Sequence, residues 1–212
     1  MATRAGGSAG SSKPSKASAP PRAWQRMLSG RRLDLLDPSP LDVEIEDIAH
    51  GLARVARWNG QTDGAHAFTV AEHCVMVCDL TTALKPQWPA KWQLASLLHD
   101  APEYVIGDMI SPFKAALGVD YRAFEDKLAA AIHTRFGLPA HLPKSIEETI
   151  KRADRAAAYF EAIDIAGFSE QEANEVFGRP RGVPRVEVQP LPTGKAQALF
   201  LERFATLCDR DG

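Results

Sequence analysis

Apolar residues recur every three or four positions through most of the chain after residue 44, which is the spacing of one face of an α-helix. Five such stripes predict five helices, each with an apolar face directed at a common core. The stripes are Ile45, Ile48, Leu52 and Val55; Val70, Val77, Leu80 and Leu84; residues 92–99; Tyr121, Phe124, Leu128 and Ile132; and Ile146, Ile150, Ala153, Ala157 and Phe160. A further helix is predicted over residues 195–208. We therefore expect an all-α fold, an irregular helical bundle.

Turn-forming and capping residues mark where these helices begin and end. Thr69 is a candidate N-cap directly before the second stripe, and Pro102 stops the third soon after its last apolar residue. The density of proline and glycine over residues 178–192 is incompatible with a helix. Residues 22–40 are broken by prolines near their end and predict an irregular or short-strand lead-in.

The chain length of 212 residues suits one domain with a sizeable core. Residues 1–22 are Gly, Ser, Ala and Pro with a few cations, and they contain no acid and no aromatic residue. Such a segment has too little apolar surface to offset its ordering entropy, so we expect a disordered tail. The prediction is a disordered segment over 1–22 and one folded domain over 23–212, with its motif-bearing core at about 45–165.

Charge and cysteine content exclude several classes of protein. The 25 basic and 27 acidic residues give a net charge of -2, so no polymeric nucleic acid partner is expected. No apolar run approaches the roughly 18 residues of a membrane span, so no membrane partner is expected either. The odd cysteine count fits a reducing cytoplasm, and Cys74 and Cys78 are expected to pack in the core.

Two polar residues interrupt the apolar stripes. His73 follows Val70 by three residues and precedes Val77 by four, which places it on their helix face. Asp154 lies at the edge of the apolar face of the fifth predicted helix, where an unpaired carboxylate is costly. His73 considered alone is compatible with an ordinary satisfied core histidine, whereas Asp154 should have a cation or strong hydrogen-bond donors beside it.

A His99-Asp100 pair ends the third stripe and is followed by Ala101-Pro102-Glu103. Asp100 and Glu103 also have the spacing of a helix capping box, and this local alternative explains Asp100 as well as a metal does. It does not explain His99 or the two interruptions above. One divalent ion bound by His73, His99, Asp100 and Asp154 explains all four residues. Mixed imidazole and carboxylate ligands favour a transition metal such as Zn, Mn, Co, Fe or Ni over Mg.

These residues and their flanking motifs resemble the HD superfamily of metal-dependent phosphohydrolases. The resemblance is to the branch of 5′-deoxynucleotidases and deoxynucleoside triphosphatases, and it covers about residues 50–165. It includes an Arg-Trp pair before the first histidine and a Gly-Asp after the His-Asp-x-x-Glu segment. The motifs are Arg57-Trp58, H-D-A-P-E-Y-V-I-G-D-M (99–109), S-P-F-K (111–114) and K-R-A-D (151–154). The segment 60–66 between the pair and the first histidine follows no pattern of that branch.

The resemblance implies a role for each matching residue. Glu103 would orient the attacking water or protonate the leaving group. Phosphate oxygens would be bound by Arg57, Lys114 and Lys151, while Asp108 would contact the sugar and Trp58 would form a flat wall for base or sugar. Considered singly, Arg57 and Lys114 are better explained as solvated surface charges, whereas Lys151 lies close to one turn before Asp154 and can lean toward the same site. Asp108 is equally compatible with a turn cap, and Trp58 with a core or rim position.

The expected function is that of a metal-dependent 5′-deoxynucleotidase, which hydrolyses a deoxynucleoside monophosphate with metal-activated water. The alternative is a deoxynucleoside triphosphate triphosphohydrolase, since the same ligands serve both reactions. A non-catalytic nucleotide or metal sensor and a metal-free helical domain are the competing classes. A homodimer is a further possibility, through apolar residues of 196–208.

Overall fold

The computed structural model describes residues 23–108 and 121–210, and within them the chain folds into eight α-helices and one β-hairpin. The helices are α1 (Ile45–Leu52), α2 (Val70–Leu84), α3 (Ala90–Leu97), α4 (Glu103–Ile106), α5 (Tyr121–Arg135), α6 (Lys144–Asp164), α7 (Glu170–Phe177) and α8 (Thr193–Asp209). Two 3₁₀ turns, Pro40–Asp42 and Arg57–Gly60, lie before and after α1. The predicted all-α class is confirmed. The N-terminal segment 1–22 lies outside the described residues.

The lead-in before α1 forms a two-stranded antiparallel hairpin. Strand β1 (Trp24–Arg26) pairs with β2 (Arg32–Asp34), with Gln25 opposite Leu33. Leu33 is fully buried, and it fastens the hairpin to the helical core. The short strands expected in this part of the chain are therefore present.

Helix α2 is the centre of the bundle. It packs against α3, α6 and α8, and eleven of its fifteen residues are buried, so it is covered on nearly every side. The predicted cap at Thr69 is confirmed as a full capping box, in which the Thr69 hydroxyl and the Glu72 carboxylate satisfy each other's backbone N–H groups. This burial explains why a histidine at position 73 is enclosed by other elements.

Two helices were not predicted by apolar periodicity. Helix α7 is short and fully buries only Ala173, with Phe177 half-buried at its end, so its apolar stripe is too short to predict a helix, and a Ser169–Glu172 capping box begins it. Helix α4 has a single turn that starts at Glu103. It lies against α1 at a point of close approach, where a Cβ added to Gly51 would be 2.7 Å from the Cβ of Tyr104. A glycine at position 51 therefore permits the contact that positions α4.

The C-terminal helix closes the core. Ala196, Phe200 and Leu207 of α8 are buried against α1, α2 and α3. Most of the apolar surface that suggested a dimer interface is thus covered within the chain, and the homodimer stays a prediction. Cys74 and Cys78 are buried as expected. Among the described helices none has the length and apolar character to cross a membrane.

Candidate metal centre

Three side chains from three separate elements converge beside the N-terminal half of α2. His73 comes from α2, His99 from the turn after α3, and Asp154 from the middle of α6. One ligand atom from each lies within 4.8 Å of the others. Imidazole nitrogens and a carboxylate oxygen at this spacing can bind one divalent ion. The described residues therefore contain a His/His/Asp group that could hold a metal.

Asp100 lies at the same point. Its Oδ2 atom is 3.5 Å from Nε2 of His73 and 3.3 Å from Nε2 of His99. The capping alternative for Asp100 is not observed, because Pro102 is the N-cap of α4 and no side chain caps that helix. The sequence spacing of a capping box is present, but the Asp100 carboxylate is directed at the two histidines.

Each histidine is oriented by a hydrogen bond from its outer ring nitrogen. Nδ1 of His99 lies 2.9 Å from the carbonyl oxygen of Ser96, and Nδ1 of His73 lies 2.5 Å from Oε1 of Glu161. Both partners are acceptors, so we assign the proton to Nδ1 in each ring. Metal-binding histidines usually have this arrangement, which leaves the Nε2 lone pair for the ion.

The inward atoms fit a cation. Nε2 of His73 and Nε2 of His99 are buried, and neither has a hydrogen-bond partner among the described residues. With their protons on Nδ1, both present lone pairs toward the carboxylates of Asp100 and Asp154. Four electron-rich groups this close attract positive charge: Glu161 and Asp154 raise the pKa of His73, and Asp100 raises the pKa of His99, in each case against the effect of burial. A divalent transition metal would supply such a charge.

Glu161 supports this centre, and sequence reasoning missed it. Its side chain is fully buried and accepts hydrogen bonds from His73, from the guanidinium of Arg57 and from the indole N–H of Trp58, at 2.5, 3.2 and 2.8 Å. Burial alone would raise the pKa of Glu161, but Arg57 and His73 outweigh it and lower that pKa to about 2. The one available signal was an acid seven residues after Asp154, on the same face of α6.

A strained turn positions the Arg57-Trp58 pair beside the cluster. Trp58 has φ 57° and Asn59 has φ 51°, a left-handed conformation that side chains other than glycine rarely adopt. The turn directs the Arg57 guanidinium at Glu161 and brings its Nη1 to 3.9 Å from Oδ2 of Asp100. Arg57 therefore lies at the edge of the cluster, while the Trp58 indole braces Glu161 and packs against Phe168 and Phe177.

Solvent exposure increases from one side of the cluster to the other. His73 has no exposed surface, His99 is 11% exposed, Asp100 is 25% exposed and Asp154 is 42% exposed. The site thus has a closed base at His73 and an open mouth at Asp154. A small ligand can approach a bound ion from the mouth, which is how catalytic metal sites differ from closed structural ones.

The remaining expected site residues lie at different distances from the cluster. Glu103 is buried at the start of α4. Burial is the main cause of the raised pKa of the Cys74 thiol, and the nearby carboxylates of Asp100 and Glu103 raise it further. Burial alone would lower the pKa of the Arg57 guanidinium, but nearby carboxylates, first Glu161 and then others that include Asp108, raise it. Lys151 lies on α6 one turn before Asp154 and lines a groove with other cations. Lys114 lies outside the described residues.

Comparison with known proteins finds two relatives that cover most of this chain. The chain is 58% identical over 191 residues to an uncharacterized protein of Rhodobacter capsulatus, with 88% of this chain and 96% of that protein covered. It is 31% identical over 171 residues to the uncharacterized protein YfdR of Escherichia coli, with 79% and 86% covered. The chain belongs to the same family as these two proteins. No family model matches it.

Proposed function

We propose that this protein is a metal-dependent phosphohydrolase of the HD type that acts on deoxynucleotides, as a 5′-deoxynucleotidase. The observation that supports the proposal is the convergence of the Nε2 atoms of His73 and His99 with the carboxylates of Asp100 and Asp154. The order of these residues along the chain, and the Arg-Trp pair beside them, are those of the resemblance described above. The open mouth at Asp154 provides the access that a substrate needs.

The chain's own residues supply the other requirements of phosphate ester hydrolysis. A metal held by the cluster would lower the pKa of a water molecule and polarise a phosphoryl oxygen. Arg57 lies at the edge of the cluster, where its positive charge would offset the charge that builds on the phosphoryl group. Glu103 begins α4 three residues after Asp100, and its carboxylate would move a proton to or from the reacting oxygen atoms.

The experiment is product analysis with the purified full chain. Deoxy- and ribonucleoside mono- and triphosphates are incubated with Mn, Co, Zn, Ni or Mg, and the products are separated by chromatography. We expect deoxynucleoside and phosphate from a deoxynucleoside monophosphate. Nucleoside and tripolyphosphate from a triphosphate would instead establish the triphosphohydrolase alternative.

Three variants test the assignment of the residues. Asp154→Asn should lose both metal and turnover, whereas Glu103→Gln should keep its metal and lose turnover. Asp126→Asn, the same change on the exposed surface of α5, is the matched control and should behave as wild type. A protein that binds metal and turns over no nucleotide would contradict the hydrolase proposal and favour a sensor.

A further inference from the structure

A positively charged groove lies on the outer side of α6. It is an open cavity of about 570 Å³ between that helix and the loop that follows α7. Five of its lining residues are cations and one is an acid: Lys151, Arg152, Arg155, Arg179, Arg181 and Glu148. This concentration of positive charge contrasts with the net charge of -2 of the whole chain.

The cations of the groove have no anionic partner in the described parts of the chain. Within residues 23–108 and 121–210, none of the five takes part in an ion pair, and the Glu148 carboxylate lies 3.8 Å from Lys144. Like charges held together in this way repel one another and cost stability. The groove is therefore complementary to a ligand with several negative charges.

The groove has a fixed wall. Nη2 of Arg152 donates a hydrogen bond of 2.6 Å to the carbonyl oxygen of Arg181, which ties the loop to α6. Gly182 has φ 69°, and a Cβ there would be 3.2 Å from the same Nη2 atom, so glycine allows this contact. Because the loop is tied down, Arg179 and Arg181 are held opposite the cations of the helix.

The groove is separate from the metal centre. An α-helix turns about 100° per residue, so Arg152 and Ala156, each two positions from Asp154, lie on the opposite side of α6 from it. Both residues line the groove, and none of the four metal-centre residues does. Lys151 and Arg155, about 60° and 100° from Asp154 around the helix axis, lie between the two sides. A ligand held by Arg152, Arg179 and Arg181 would therefore not be bound to the metal.

Apolar side chains also line the groove. Phe177, Val183 and Ala156 are among its lining residues, so the cavity combines cations with apolar surface. Arginine guanidinium groups bind phosphate oxygens through paired hydrogen bonds. We propose that this groove is a binding site for a small polyphosphate anion, either inorganic or the phosphate chain of a nucleotide. The proposal stands independently of the hydrolase activity, because none of the four metal-centre residues lines the groove.

Calorimetric titration of the full chain with inorganic tripolyphosphate at low salt tests the proposal. We expect saturable binding in wild type. Arg155→Gln and Arg179→Gln, made as separate single variants, should each weaken it about tenfold, since each removes one charged contact. Both side chains are exposed, so these variants should fold normally. Lys195→Gln, an equal charge change on α8, is the control and should bind as wild type.

A second pair of titrations locates the anion and its source. Asp154→Asn should bind tripolyphosphate at least as tightly as wild type when no metal is added, because Asp154 does not line the groove and the change removes one negative charge near it. The same variant is then titrated with adenosine triphosphate. If adenosine triphosphate binds no more tightly than tripolyphosphate, the phosphates alone are recognised. If it binds more tightly, the apolar lining at Phe177 also contributes. Absence of binding, loss of binding in Asp154→Asn, or equal weakening by Lys195→Gln would each overturn the proposal.

Discussion

The two sides of α6 differ in how their charged side chains are stabilised. On the inner side, Glu161 is enclosed by three hydrogen-bond donors, and Asp154 faces two histidines. On the outer side, Arg152 and Arg155 stand in solvent beside other cations. A buried charge without partners costs several kcal/mol, whereas water and salt screen an exposed one. Loss of one partner in the inner network should therefore be costly, whereas each outer cation is solvated by water and needs no partner.

The largest expected effect comes from removing the buried carboxylate of the inner side. Glu161→Ala leaves the Arg57 guanidinium and the His73 ring without their shared partner, and we expect a loss of about 3–5 kcal/mol in the free energy of unfolding. Urea denaturation measures it. Glu202→Ala, which removes an exposed acid on α8, should change stability by less than about 0.5 kcal/mol. If both changes lowered the free energy of unfolding equally, the Glu161 carboxylate would contribute no more to stability than an exposed acid.

Metal binding should stabilise the protein through the inner side alone. A metal at about 100 times its Kd is expected to add about 2.7 kcal/mol to the free energy of unfolding, because only the folded chain brings the ligands together. Asp154→Asn should lose most of this gain, whereas Arg155→Gln should retain it. Thermal unfolding with and without added Zn or Mn, preceded by chelation, provides the measurement. A gain of the same size in Asp154→Asn would place the metal elsewhere.

A smaller change isolates one hydrogen bond of the inner network. Trp58→Phe keeps an aromatic ring against Phe168 and Phe177 but removes the indole N–H that donates to Glu161. We expect a loss of about 1.5 kcal/mol, the usual contribution of a hydrogen bond to a charged group. Trp92→Phe on α3 is the matched control for the loss of ring size. An indistinguishable result for the two variants would mean that Arg57 and His73 satisfy Glu161 without Trp58.

The smallest effect belongs to the outer side. Raising the salt concentration from about 0.01 M to about 0.15 M shortens the screening length from about 30 Å to about 8 Å, so it should relieve the repulsion among the groove cations. We expect a gain of a few tenths of a kcal/mol in wild type and less in the double variant Arg155→Gln/Arg179→Gln. Denaturation at the two salt concentrations gives the comparison. A larger salt response in the double variant would contradict the charge assignment.

Most of the fold could be predicted because its helices are amphipathic. The stripes that begin near Ile45, Val70 and Ile146 mark three of the observed helices, since a core must cover one face of each. Helix α7 was missed because it buries one alanine, and its capping box is the only strong local signal. Short polar helices leave little trace in apolar periodicity.

The candidate metal centre was predictable in part for the same reason. His73 and Asp154 interrupt apolar faces, and an interruption is visible in the sequence. The role of Glu161 was not, because its partners Arg57 and Trp58 are more than a hundred residues away along the chain. The substrate contacts of that pair stay a prediction, and the structure adds that both side chains are hydrogen-bonded to Glu161. Which carboxylate a cation meets is decided by tertiary packing.

The hydrogen bond between His73 and Glu161 joins residues 88 positions apart, and this spacing bears on how a newly made chain acquires its ion. His73 leaves the ribosome long before Asp154 and Glu161 are synthesised. Until α6 has emerged and docked, the histidine lacks the partner that fixes its proton and the aspartate that completes the cluster. Tight capture of a metal therefore waits until most of the domain exists, and a nascent fragment has no complete cluster with which to trap one.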